Sequence, residues 1–459
     1  MKYFFTALSL ASVASAHTLF SNLFIDNKSQ GDGTCVRTPS DASKSNSPIY
    51  PLTGAEMACG REGTQNPVKY ICPAKGSSTL TFDFRESPNY SRSGAIDGGH
   101  KGPCSVYVKK VDDIFTDSAA GAGWFKIWED GYNADTKKWC TETLNDNDGF
   151  LSVKLPSALP SGYYLIRPEL IALHAATQGD PQFYHGCAQV FVENGPAGDL
   201  SIPDEYSVSI PGYVDAKHPG LTFNLYDGTS PTTYQIPGPK VYYPESSSSN
   251  DVSKTQDAGK IPSDCILKSA NWCAKPVSTV ATDNKSCWAA AQECWDQSKV
   301  CWDTAAVVGY ENCNVWGNYC ETLGNRCESK NYDGTPAFSG KEVAPHVPSS
   351  VPAPYNQPKG TEPGNGGGSS SAASSSTAAA ATSTAAAVTT SAAAAPTSAP
   401  AATSTAAPVQ SSSAQSVSTK VEDKQASSSA LPSTTLKKCV SKVKTVWQTV
   451  TVTAAPARR

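Results

Sequence analysis

Cys287, Cys294 and Cys301 are spaced by seven residues, and so are Cys313, Cys320 and Cys327. A seven-residue step places each trio along one face of a helix. Paired antiparallel, Cys301 meets Cys313, Cys294 meets Cys320 and Cys287 meets Cys327, each pair nested inside the next as a helical hairpin requires. Cys265 and Cys273 then remain as a fourth pair. Residues 262–330 therefore read as a small helical module that disulfides must hold together, because so short a segment buries little core. The rival reading, a metal cluster, lacks histidines nearby. Trp288, Trp295 and Trp302 each follow a cysteine of the first trio. Core packing is the preferred use for them, with a glycan-stacking surface as the alternative.

Disulfides need an oxidising compartment, and residues 1–16, MKYFFTALSLASVASA, supply the route to one. Lys2 is a positive n-region, Phe4 to Val13 a short apolar run, and Ala14-Ser15-Ala16 a small-residue cleavage site. The run is too short to cross a bilayer, so the chain is expected to be secreted and to have no membrane partner. The fifteen cysteines are odd in number, leaving at least one outside an internal pair. A net charge of −4 argues against nucleic acid as a partner. Asn27, Asn89 and Asn284 each begin an Asn-x-Ser acceptor for N-glycosylation.

Cleavage after Ala16 makes His17 the mature N-terminus. Such a histidine offers a metal ion two nitrogens from one residue, the α-amine and the imidazole Nδ1, both readily deprotonated near neutral pH. Residues 17–245 mix β-branched and aromatic residues with Gly/Pro turns. Leu80–Phe84, Ser105–Val108, Tyr163–Ile166 and Ala188–Val192 have strand length and pattern. Short strands between long loops predict an all-β sandwich. Residues 246–261 read as a short linker. Residues 331–435, rich in Ser, Thr, Ala and Pro, read as a disordered, O-glycosylated linker. Residues 436–459 read as a basic tail with one strand-like stretch, Val446–Thr453.

Six histidines occur in the chain: His17, His100, His174, His185, His218 and His346. His100 lies in a glycine-rich loop, Gly98-Gly99-His100-Lys101-Gly102-Pro103, the kind of segment that carries binding residues on a rigid scaffold. His174 ends a strand-like segment, and Gln182 and Tyr184 share one face of the next strand. A hairpin at Gln178-Gly179-Asp180-Pro181 brings the three together.

The mature N-terminal His17, the Gly99-His100-Lys101-Gly102-Pro103 turn, Ile171-Ala172-Leu173-His174 and Gln182-Phe183-Tyr184-His185-Gly186-Cys187-Ala188-Gln189 resemble the fungal cellulose-active lytic polysaccharide monooxygenases of auxiliary activity family nine, formerly glycoside hydrolase family sixty-one. Tyr234-Gln235-Ile236-Pro237-Gly238-Pro239 resembles the end of that family's catalytic domain. The match covers 17 to about 243 and not the cysteine-rich module, linker or tail. It implies an immunoglobulin-like, fibronectin-like sandwich with one copper ion. His17 would bind it through the α-amine and Nδ1, and His100 through Nε2, in a T-shaped brace, with Tyr184 as loose axial ligand. His174 and Gln182 would hydrogen-bond the oxygen species held there. Cys59 would pair with Cys187, and Tyr213 would lie in the loop that presents an aromatic to the flat substrate face. The implied activity is oxidative cleavage of insoluble cellulose or a related β-1,4-glucan at C1 and/or C4. It would use O2 or H2O2 and an external reductant, from a monomer.

Nitrogen donors in a plane favour Cu(II), whereas zinc calls for a tetrahedral set. Departures from the family include Pro168 where many relatives have histidine, His185 after the axial tyrosine, and His218. His185 is expected to point to solvent and His218 to lie at the surface. Cys35, Cys72, Cys104 and Cys140 suggest further disulfides. Two other function classes compete. A secreted glycoside hydrolase needs paired carboxylates about 5–10 Å apart, and no such pair is visible. A non-catalytic copper or cell-wall protein would not need the His174, Gln182 and Tyr184 set.

Overall fold

The computed structural model describes residues 17–88, 94–246, 251–304, 307–308, 310–343 and 351–355. The leader, Asn89, His346, the fifteenth cysteine Cys439 and the basic tail lie outside the described residues.

Two sheets face one another. The smaller has the order Phe150–Lys154, Thr79–Arg85, Leu19–Ile25, Lys28–Ser29. The larger runs Ser207–Ile210, Gly121–Asp130, Cys104–Val111, Gly162–Ala172, Cys187–Val192, Val36–Arg37. Gln182–His185 adds to Gly162–Ala172, and Cys72–Ala74 pairs in parallel with Cys187–Val192. Alternation sorts the side chains. Val106, Val108, Tyr164, Ile166, Ala188, Val190 and Val192 face the smaller sheet and meet Phe20, Leu23, Phe82 and Phe84. Their neighbours Tyr107, Leu165 and Phe191 point the other way. That outer face is not left to water. Ile49, Met57, Ile114, Tyr213 and Leu221 cover it from loops, so the larger sheet is buried on both sides.

Pro168 stands in the middle strand Gly162–Ala172, opposite Val106. On the other side of that strand the pairing breaks. Residues up to Ile166 pair with Cys187–Val192, and residues from Glu169 pair with Gln182–His185. A proline, lacking its N–H, costs least at such a break.

The helices Asn284–Thr304 and Glu311–Glu328 form the hairpin. Its disulfides are Cys301–Cys313, Cys294–Cys320 and Cys287–Cys327, with sequence separations of 12, 26 and 40. Each step outward adds seven residues on either helix, which keeps the rungs in register. A disulfide of this kind stabilises by about 2–4 kcal/mol. Cys265–Cys273 closes the small hairpin of Leu267–Ser269 and Trp272–Ala274. In the sandwich, Cys35–Cys72, Cys59–Cys187 and Cys104–Cys140 are bonded.

Three expectations are corrected. The hairpin is not a separate module: it belongs to the same compact unit as the sandwich. Val307 and Val308 pack on Leu19, the Ala270 amide donates to Asp32 O, Lys268 Nζ to Gln30 O, and the Lys69 amide to Asn271. Nor are the tryptophans beside the first cysteine ladder its core. Trp288, Trp295 and Trp302 are 44%, 41% and 46% exposed. With about 100° of turn per residue, a side chain next to an inward-facing cysteine is carried to the flank of the helix. The core is Trp272, Trp316, Leu267 and Leu323, and Trp316 Nε1 donates to Cys294 O at 3.0 Å. Finally, segments read as linker are held in place. Asp251–Ser253 pairs with Asn194–Pro196, Phe338 packs on Trp316, and the Tyr355 hydroxyl, beside Trp128, donates to Phe150 O at 3.0 Å. An aromatic residue in each of the later segments has enough apolar area to dock.

Candidate metal centre

The site forms at one end of the sandwich, where the larger sheet meets the first strand. Thr18 precedes Leu19–Ile25, and its hydroxyl donates to Arg85 O at 3.3 Å. This anchors the segment that leads from His17 into that strand. The His100 loop is drawn in by the main chain. The Ile171 amide donates to Pro103 O at 3.1 Å and the Leu173 amide to Lys101 O at 2.9 Å. Gly102 permits that approach, since a Cβ there would lie 1.8 Å from Ile171 O. Any side chain would force the loop away from the strand. His174 follows Leu173 directly, so the same two hydrogen bonds bring His174 beside His100.

The rings converge. His100 and His174 have centroids 4.1 Å apart. Tyr184 lies 6.3 Å from His17 and 6.1 Å from His100. Its hydroxyl donates to Gln182 Oε1 at 2.6 Å, and the Gln182 amide donates to Asp180 at 3.4 Å. The register Ala172↔Gln182 and Leu170↔Tyr184 sets this hairpin. Cys59–Cys187 ties the loop behind it. Nearby, Gly60 adopts φ +80° against His185 O.

Burial sets the protonation of the cluster. His100 is 7% exposed, and its pKa is lowered to about 4 by desolvation first and by His174 next, with Asp97 opposing and His17 adding. It is a neutral imidazole near neutral pH, a form that binds metal. Burial raises the Tyr184 phenol, which keeps it protonated. The Nδ1 atoms of His100 and His174 are buried without a hydrogen-bond partner.

The structure corrects two further expectations. Tyr213 is not on a substrate face. It is 7% exposed, accepts from Arg167 Nη2 at 3.1 Å, donates to Glu169, and packs edge-on against Tyr107. The loop that carries it belongs to the layer covering the outer face of the larger sheet. His185 does not reach solvent. Tyr184 faces the inner core, so His185 faces that same covered side, with both ring nitrogens unpartnered. Burial, then Arg167, holds its pKa well below the usual histidine range. His218 is partly exposed, and its Nδ1 accepts from the Gly220 amide at 3.0 Å, capping a short 3-10 turn. Asn27 and Asn284 are exposed. The sandwich does present aromatics to solvent, at Tyr50 and Tyr226, 66% and 72% exposed. Tyr50 follows Ile49, whose amide donates to Phe183 O at 2.8 Å, next to Tyr184. Neither residue sits in a motif that singles it out.

Known proteins match this arrangement. A family model, Auxiliary Activity family 9 (formerly GH61), matches residues 17–234. The AA9 family lytic polysaccharide monooxygenase C of Aspergillus tamarii is 45% identical over 296 residues, 62% of this chain and 78% of that protein. The chain belongs to the AA9 family of lytic polysaccharide monooxygenases. It is a copper-dependent oxidoreductase acting on cellulose-type polysaccharides. Also similar are the AA9 family lytic polysaccharide monooxygenase H of Botryotinia fuckeliana, 43% identical over 62% of this chain and 66% of its own length, and the monooxygenase AA9-X282 of Trametes coccinea, 40% identical over 51% and 82%.

Among the described residues no group of three or more His, Cys, Asp or Glu side chains could hold a metal. A brace of two imidazoles and an α-amine needs only two such side chains, and the neutral, buried His100 beside His17 suits a nitrogen-preferring ion.

Proposed function

We propose that this AA9 enzyme is secreted, that removal of residues 1–16 frees the α-amine of His17, and that His17 and His100 hold one copper ion. Tyr184 would line the site beside His17 and His100 as a protonated phenol. Bound copper supplies one-electron redox chemistry toward O2 or H2O2, with electrons from an external reductant, for oxidation of a β-1,4-glucan at C1 or C4. Around it the protein has separate tasks. His100 remains neutral because burial penalises its charged form. Gln182 accepts the hydrogen bond of the Tyr184 hydroxyl, and its amide is turned outward toward Asp180. His174, tilted against His100, places a ring nitrogen where an oxygen cosubstrate can be hydrogen-bonded. Tyr50 offers the glucan an exposed ring at the edge of the site. Residues 17–245 form the catalytic sandwich and residues 262–330 the cysteine-rich hairpin, while the Ser/Thr/Ala/Pro-rich sequence beyond the docked Tyr355 and residues 436–459 serve as linker and tail.

The convergence of His17, His100, His174 and Tyr184 at one end of the sandwich carries this reading. Product mass spectrometry on cellulose, xyloglucan and other glucans, with copper and ascorbate, tests it. Oxidised oligosaccharides that vanish on copper chelation are expected. Unoxidised products that persist without reductant would identify a hydrolase instead.

A further inference from the structure

The cysteine ladder has a second consequence. Because Cys287, Cys294 and Cys301 all face inward, the residue after each one falls on a common flank. Trp288, Trp295 and Trp302 therefore form a row of half-exposed rings along Asn284–Thr304. Tyr310, 40% exposed, extends the row, its ring 5.4 Å from that of Trp302. Burying these rings in a core would be ordinary, and the module has another tryptophan for that purpose, Trp316. Large indoles held open to water on a disulfide-locked helix point to a ligand.

Seven residues of helix advance by about 10 Å, close to one disaccharide of an extended β-1,4-linked glucan. The rings drift by only about 20° per seven-residue step, so they address one side. A glucose ring in such a chain presents an apolar face of C–H groups, and the negative face of an indole attracts it. The polar groups between the rings are already engaged. Gln292 donates to Asp296 at 2.8 Å, and Lys299 is paired with Asp303. Between Trp288 and Trp302 the only cationic residue is Lys299, and it is paired, so this stretch does not select a polyanion. The Trp302 end of the row leads into Val307 and Val308, which pack on Leu19, two residues from His17.

We propose that Trp288, Trp295 and Trp302, with Tyr310 beside Trp302, form a stacking track that binds an extended β-1,4-glucan chain, one tryptophan per disaccharide. The choice of this glucan rests on the substrate reading above, but binding is measured apart from cleavage. The mature full-length protein and its Trp288→Ala/Trp295→Ala/Trp302→Ala variant are partitioned onto microcrystalline cellulose without reductant. Melting temperature and copper affinity of the variant are expected to match wild type, because all three side chains are exposed. Its partition coefficient is expected to fall roughly tenfold or more, with the corresponding Trp→Tyr variant recovering most of it. Granular starch, whose chains are helical, should retain little of either protein. Equal binding of wild type and triple-alanine variant to cellulose overturns the track and leaves the catalytic reading intact. Equal retention on starch overturns its match to an extended chain. If light scattering shows that the substitutions abolish a dimer while cellulose partition is unchanged, the face is a self-association surface and the proposal fails. Absence of oxidised glucan from the wild type would instead count against the catalytic reading.

Discussion

The phenolic hydroxyl of Tyr184 donates a 2.6 Å hydrogen bond to Gln182, two residues back on the same strand face. One side chain is in the core and the other reaches the surface. Gln182→Ala therefore removes the acceptor of a buried donor and the outward amide together. Copper binding is expected to persist while oxidative cleavage falls by about 10–100-fold. His174→Ala should behave in the same way. Copper titration run beside product analysis separates the two quantities. Wild-type turnover in both variants removes these residues from the site.

An additional residue before His17 converts the α-amine to an amide, which is neither basic nor free to bind copper. Such a form, and His100→Ala, should lose copper affinity by orders of magnitude in isothermal calorimetry. Full affinity in the extended protein would refute the two-histidine brace.

For Tyr213 the expected outcome is structural. Its hydroxyl lies between Arg167 and Glu169, both fully buried. Tyr213→Phe leaves that pair short of a partner and should cost about 1–3 kcal/mol in denaturant unfolding. Cellulose partition should not change, and a selective loss of binding at unchanged stability would return Tyr213 to the substrate face.

Trp316 fills the hairpin core and its indole N–H is bonded to Cys294 O. Trp316→Ala should destabilise by about 3–5 kcal/mol, whereas alanine at Trp288 should fall within about 0.5 kcal/mol of wild type. Thermal melts of the two variants distinguish a core tryptophan from an exposed one.

His218 gives a pH dependence. Its pKa is lowered in the folded protein by desolvation, with Lys126 adding and Asp215 opposing, and only the neutral Nδ1 accepts from the Gly220 amide. As pH falls below the unfolded value of about 6.5, the unfolded chain takes up the proton first, so this contribution to stability is complete above that pH and lost below it. His218→Asn retains an acceptor without titrating. Its melting temperature should decline less than wild type between pH 7 and 5, and identical slopes would exclude the cap as a contributor.

What could be read in advance divides along a physical line. The cysteine ladders and the strands around Phe82, Val106, Leu165 and Val190 were legible because local periods report which way a side chain faces. The His100 loop was legible as a glycine-rich segment, which implies a flexible and exposed loop, but Gly102 lets it pack against Ile171 O and leaves His100 buried. Tyr213 and His185 were not legible. Their burial depends on loops that cover the outer face of the larger sheet, and period-two alternation cannot tell a covered face from a wet one. The exposed tryptophans were misread for the opposite reason. Trp272 and Trp316 already filled the hairpin core, and no pattern within one helix records that another residue has taken the place.

The packing of Val307 and Val308 on Leu19 makes the hairpin more than an appendage. The strand Leu19–Ile25 begins two residues beyond His17, and Val307 and Val308 help to cover its first apolar side chain. Reduction of the three ladder disulfides would thus be felt at the N-terminus as a loosened anchor for the amine proposed to hold copper. A chain trimmed to the sandwich alone would lose the Val307 and Val308 cover of Leu19, two residues from His17.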